Sequence, residues 1–171
     1  MKLRTDFVSN SSSSSFLVLH IKNEVLAKLF VKHESAIRTF FSPESDFYGD
    51  LQIDETGISL TGGVPDAELG GDVPKKCDDL AWCMASLLTW GNVTEAEQIE
   101  DGEFDESLEA LLRELFAQEE AIVHSVNSVH WEAGTDGYGE SDGKSSMTFT
   151  YDPVNGASYN EEFTEGEEED W

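Results

Sequence analysis

A chain with 36 acidic side chains and only ten basic ones cannot pair most of its charges, and its formal net charge is −26. A carboxylate taken out of water without a partner is strongly destabilised, so the surplus acids must stay at the surface. The core therefore has to come from apolar side chains alone, and the apolar pattern shows where it is. Hydrophobic residues make up 39% of the 171, including ten Phe and four Trp. That is enough for one core in a chain of this length.

Phe16-Leu17-Val18-Leu19-His20-Ile21 reads as a buried strand. Asn23 has the chemistry of an N-cap for a helix over Glu24–His33, with Val25, Leu26, Leu29 and Phe30 on one face. A second short helix over Ser35–Phe41 stops before Pro43. Residues 50–61 alternate like a hairpin, with Leu51 and Ile53 before a turn at Glu55-Thr56-Gly57 and Ile58 and Leu60 after it. Gly62–Pro74, rich in Gly and Pro, predicts an irregular loop. A helix beginning at Asp78 or Asp79 and running to Trp90 turns Leu80, Cys83, Met84, Leu87 and Leu88 inward. Thr94-Glu95-Ala96-Glu97 has the form of a capping box.

The strongest helical period is Glu106–Glu120, with Leu108, Leu111, Leu112, Leu115 and Phe116 on one face and Asp105 at the cap position. From Ala121 the period changes to two. Ile122–Trp131, Ser146–Tyr151 and Ala157–Phe163 predict three strands, joined by the loop Gly134–Lys144 and the turn Asp152–Gly156. The expected fold class is α+β: helices packed on a mostly antiparallel sheet with a C-terminal β-meander. The expected organisation is a polar Ser-rich segment over 1–15, a single α+β domain over 16–164 and an acidic tail over 165–171.

The N-terminal stretch Phe7-Val8-Ser9-Asn10, followed by Ser11–Ser15 and Phe16, resembles a segment that recurs at the start of bacterial and phage proteins. The resemblance covers about the first 16 residues and implies a bacterial or phage origin. It carries no activity and no site residue with it. The five successive hydroxyls could dock a partner or accept a modification. They equally suit a solvated lead that anchors Phe7 and Val8.

Charge is unevenly placed. Residues 1–40 carry a net +3 and residues 41–171 a net −29. Such a body repels nucleic acid and anionic membranes, whose contacts depend on Lys and Arg. It attracts basic proteins and cations. Eight acids fall within Glu95–Glu109, more than a helix N-terminus needs for its dipole. Duplex DNA carries one charge per 1.7 Å or so, hence this net charge equals that of roughly 45 Å of duplex. A domain of this length has a radius of gyration of about 15–16 Å. The quantity of charge thus suits nucleic-acid mimicry. Asp101, Glu103, Asp105, Glu106 and Glu109 are the candidate partner-binding residues.

The chemistry of enzymes is poorly represented. The sequence has no G-x-S-x-G elbow, P-loop, Rossmann glycine pattern or H-E-x-x-H. Asp136–Gly143 alternates acids with Gly but misses EF-hand spacing. His124 and His130, read on one strand, would share a face about 20 Å apart, too far for one ion. Cys77 and Cys83 form no disulfide framework and no zinc spacing, and Cys83 reads as a small core residue. Met1-Lys2-Leu3-Arg4 is followed by polar residues rather than an apolar run, so no signal peptide is expected, nor a membrane span. These features together predict a cytoplasmic protein without catalytic residues, cofactor or metal.

The expected function is that of a non-enzymatic acidic protein engaging a basic partner, its sharper form being a bacterial or phage inhibitor that mimics nucleic acid toward a nucleic-acid-binding protein. Two other readings stay open. One is a small adaptor whose charge is merely solubilising. The other is a hydrolase using carboxylates and a divalent ion.

Overall fold

The computed structural model describes residues 14–40, 48–65, 73–89, 91–136 and 144–164. Six strands are present among them: β1 (Ser14–Asn23), β2 (Tyr48–Ile53), β3 (Gly57–Pro65), β4 (Val126–Asp136), β5 (Lys144–Asp152) and β6 (Gly156–Thr164). They form one sheet in the order β2-β3-β1-β4-β5-β6, antiparallel throughout. The helices are α1 (Glu24–Lys32), α2 (Glu34–Phe40), α3 (Leu80–Leu88), α4 (Glu106–Ala117) and α5 (Glu119–His124). The fold is α+β, with β4–β6 as the C-terminal meander.

One parity of each strand builds the core. Ile21 stands between Ile58 and Val129, and Leu19 between Leu60 and Trp131. Phe149 lies beside Trp131, and Leu51 beside Leu60. These side chains join Leu26, Leu29 and Phe30 of α1, Met84 and Leu88 of α3 and Leu111, Leu112 and Leu115 of α4 in one buried cluster. Each fully buried side chain of this size contributes about 1.5–3 kcal/mol. Helices and sheet therefore make two layers. The other parity of the strands carries His20, Ser59, His130, Glu132, Thr148 and Thr150, all exposed or half-exposed.

Asn23 joins the layers. It is 1% exposed and ends β1 as the N-cap of α1. Its Oδ1 accepts the Leu26 N–H at 3.0 Å, and its Nδ2 donates to the Ile122 carbonyl of α5 at 2.7 Å. Asn23 faces inward by the same parity as Leu19 and Ile21, and the pairing with β4 shifts register there, with Lys22 opposite Ser128 and Asn23 opposite Val126.

Several boundaries differ from the sequence expectation. The helix expected over Glu106–Glu120 breaks at Gln118, and the strand expected from Ile122 starts at Val126. The intervening turn of helix buries Ile122 completely and offers its carbonyl to Asn23. Thus His124 ends a helix while His130 lies on β4, and the two do not share a strand face. The Gly62–Pro74 loop begins later than expected. Gly62, Gly63, Val64 and Pro65 extend β3 because Ser14 and Ser15 extend β1 opposite Pro65 and Val64. The helix expected from Asp78 or Asp79 opens as a 3₁₀ turn over Cys77–Asp79. The Ser-rich lead up to Ser13, most of the Asp136–Gly143 stretch and the acidic tail lie outside the described residues.

Both expected hairpin turns are held by an Asp at their first position. Asp54 Oδ1 accepts the Thr56 and Gly57 N–H groups, and Asp152 Oδ1 accepts those of Val154 and Asn155. Gly156 then closes the second turn at φ 74°, a conformation that favours Gly. Gly57 is required for a different reason. A Cβ there would lie 2.0 Å from the Ile21 carbonyl oxygen, part of the backbone of β1.

Two stability predictions follow from these contacts, both read from urea midpoints. Asn23→Ala removes the cap, worth about 1 kcal/mol, and the hydrogen bond to the Ile122 carbonyl, worth about 0.5–1.5 kcal/mol because that carbonyl keeps the Ser125 N–H. Asn23→Ser, which keeps a capping oxygen, is expected to recover only the first loss. Gly57→Ala is expected to cost about 1–3 kcal/mol by forcing β1 and β3 apart. An unchanged midpoint would show that the backbone yields there without strain.

Candidate acidic interaction surface

The segment from Glu95 to Glu120 connects α3 to the end of the helical layer and holds eleven acids against one basic residue, Arg113. Its geometry starts with Ile99, buried at the end of the 3₁₀ turn Ala96–Ile99. The capping box sits one residue later than the sequence suggested: Glu95 is the cap, and Gln98 Oε1 accepts the Glu95 N–H at 3.0 Å. The same Gln98 oxygen also accepts the Thr94 N–H at 2.6 Å, which explains why Thr94 belongs to the motif without being its cap.

The five candidate residues are brought onto one stretch but do not share one role. Asp105 caps α4, its Oδ1 accepting the Leu108 N–H at 2.9 Å and the Ser107 hydroxyl at 2.7 Å. The Leu108 N–H, and after it the Ser107 hydroxyl, holds the Asp105 carboxyl below its ordinary range. Glu106 occupies the first turn, where the helix dipole favours an anion. Glu109 is paired with Arg113 one turn on, at 2.8 Å. Asp101 and Glu103 are exposed, and their side chains have no hydrogen bond or ion pair among the described residues. They line a surface cavity of about 530 Å³ together with Asn92, Gln98, Gly102 and Phe104. Phe104 lies so close over Gly102 that a Cβ there would meet its ring at 2.0 Å, so any side chain at this position would push the ring aside.

Several cations of the helical layer are engaged in ion pairs. Glu114 accepts a hydrogen bond from Lys32 at the end of α1. That bond is the largest cause holding the Glu114 carboxyl below its usual range. His33 Nε2 is 3.2 Å from the same Glu114 oxygen but out of line for a hydrogen bond. Arg38 pairs with Glu34 within α2. The Lys32–Glu114 and Arg38–Glu34 pairs lie at the surface and contribute little to stability, about 0–1 kcal/mol. Among the described residues none of these pairs includes Asp101 or Glu103.

The cysteines have no place in this surface. Cys83 is fully buried in the core, and burial raises the Cys77 thiol above its ordinary value, which opposes thiolate chemistry. No helix among the described residues is long and apolar enough to cross a membrane. No family model matches the sequence, and no curated protein or solved structure matches it either.

Sequence reasoning passed over one pair on the sheet's polar face. His20 of β1 and His130 of β4 are direct cross-strand partners. Each sits at polar parity beside apolar neighbours, a signal visible in the sequence. Their juxtaposition depends on a register between strands more than 100 positions apart.

The Asp105 cap makes a pH-dependent contribution. Its folded carboxyl titrates below the unfolded value of about 3.9. The added stability is therefore present above that value and is lost as pH falls through the folded one. Asp105→Ala is expected to cost about 0.5–2 kcal/mol at neutral pH. The difference from the parent should shrink as urea titrations are taken below pH 4. A deficit that stays constant with pH would assign the cap to geometry rather than to charge.

Proposed function

We propose that this chain is a non-enzymatic binding protein whose acid-dense flank, residues 95–120, engages a basic protein partner, in a bacterial or phage setting and in the manner of a nucleic-acid mimic. The supporting observation is the eleven acids against one Arg on a flank where Asp101 and Glu103 are exposed and unengaged. Asp105 and Glu109 are occupied within α4, which makes them contributors to the field rather than free contacts. Steering by such a field raises association rates and is screened over about 8 Å at physiological ionic strength. A surface of this sign competes for the groove that a basic protein offers to phosphates.

The test is a pull-down from bacterial lysate at low and high salt, with the captured proteins identified by mass spectrometry. A basic, nucleic-acid-binding protein that is released by salt is the expected result. The double variant Asp101→Lys with Glu103→Lys should weaken its capture at least tenfold, and duplex DNA should compete with the parent for it. Binding that withstands high salt and ignores the charge reversal would overturn the assignment to this flank.

A further inference from the structure

On the polar face of the sheet, the His20 and His130 rings lie with centroids 6.4 Å apart and planes inclined by 37°. His20 is exposed, and the His130 side chain is 42% exposed. Both rings are at the middle of the sheet, on its two central strands. Ser59 of β3 flanks the pair on one side, its Oγ hydrogen-bonded to His20 Nδ1. Glu132 lies two residues along β4 on the same face, its Oε2 3.8 Å from His130 Nε2. Lys22 lies two residues along β1 in the other direction and is exposed.

We propose that His20 and His130 form a two-imidazole chelate for a borderline divalent transition-metal ion of the Zn²⁺, Ni²⁺ or Cu²⁺ class. Imidazole nitrogen suits these ions, whereas Mg²⁺ and Ca²⁺ require oxygen ligands. A metal–nitrogen distance of about 2.0–2.1 Å places two ligating nitrogens about 3–4 Å apart. Cross-strand partners on an antiparallel pair have Cβ atoms about 4.5–5.5 Å apart, which brings their rings within that reach. Exposure lets the His130 ring turn about its side-chain torsions and close on an ion beside His20, which Ser59 holds in place. Ser59 supplies the outer-shell contact. When His20 Nδ1 donates to the Ser59 hydroxyl, the ring lone pair resides on Nε2 and is available to the metal. Glu132 adds a negative charge beside the pair, opposite in sign to Lys22. Among the described residues no three His, Cys, Asp or Glu side chains converge on one point. Water therefore fills the remaining positions, and the site is an open, surface-bound one with exchangeable coordination. This site is on the opposite face of the sheet from the helical layer and does not depend on the acidic flank having a protein partner.

The experiment is calorimetric titration of the full chain with Zn²⁺, Ni²⁺ and Cu²⁺ separately, after chelator treatment and in millimolar Mg²⁺ to occupy carboxylates. One equivalent is expected to bind with an affinity that His20→Asn or His130→Asn each lowers at least tenfold. Ser59→Ala should lower it several-fold without touching a ligand. Circular dichroism confirms that these surface variants remain folded. In parallel, the ring proton signals of His20 and His130 should shift or broaden with Zn²⁺ while those of His33 and His124 do not. Three results would each overturn the proposal: no saturable binding in Mg²⁺, the parent's affinity retained in both His variants, or shifts confined to His33 and His124.

Discussion

The two hydrogen bonds of Asn23 hold the sheet and the helical layer in one register. The residue ends the central strand, begins α1 and reaches the carbonyl of Ile122 on α5. Ile122 is 99 positions away and enters β4 only four residues later. The same side chain thus sets where the chain leaves β1 and where it joins β4, the strand hydrogen-bonded along the other side of β1. An amide is the side chain that can do this, because it presents an acceptor and a donor at once. At 1% exposure neither half could be left without a partner. Asn23 shares the core-facing parity of Leu19 and Ile21, and the register shift at this point falls on β4, which places Val126 rather than Asn127 opposite it.

Once that junction is set, the surplus of negative charge has few places to go. One parity of the strands is apolar and covered by helices, so acids are confined to helix exteriors, loops and the polar face of the sheet. Exposed pairs such as Arg113–Glu109 and Arg38–Glu34 neutralise individual turns. The 95–120 stretch has only one such cation, and repulsion among its acids opposes the folded state. What offsets that repulsion is apolar and local: Ile99, Leu111, Leu112 and Leu115 anchor the segment in the core from within the acidic run. Asp105 also converts one negative charge into a cap.

The sheet was legible in the sequence because strand parity is a strong signal when half the residues are charged or hydroxylated. Leu17, Leu19 and Ile21, the Asp54 and Asp152 turns and the β5–β6 alternation all appear where their pattern places them. So do the Asn23 and Asp105 caps and the apolar face of α4. Boundaries were less legible wherever a distant partner decided them. Nothing local in Ser14-Ser15 or Gly62-Gly63 favours a strand, yet Ser14 and Ser15 pair with Pro65 and Val64, and Gly62 and Gly63 with Leu17 and Phe16. Ala121–His124 reads as a strand from β-branched content, but the core takes Ile122 in a helical turn and Asn23 takes its carbonyl. For the acidic surface, composition identified the segment, while only geometry separated Asp105 and Glu109, which have work within α4, from Asp101 and Glu103, which do not.

The same two-layer arrangement separates the two kinds of surface. The helical layer presents dense carboxylates on irregular backbone, where individual side chains can adjust to a partner. The polar face of the sheet is the opposite case. Its rows are fixed by the hydrogen-bonded ladders of β3, β1, β4 and β5, which place Ser59, His20, His130 and Thr150 side by side across four strands. A rigid row of small hydroxylated side chains around two imidazoles is poorly suited to a large complementary interface, because it offers little apolar area to bury. It is well suited to holding a few nitrogen and oxygen atoms at constant spacing, which is what a small cation requires. The division follows from parity in β1: placing Leu17, Leu19 and Ile21 in the core leaves His20 no other face to occupy, and β4 does the same for His130.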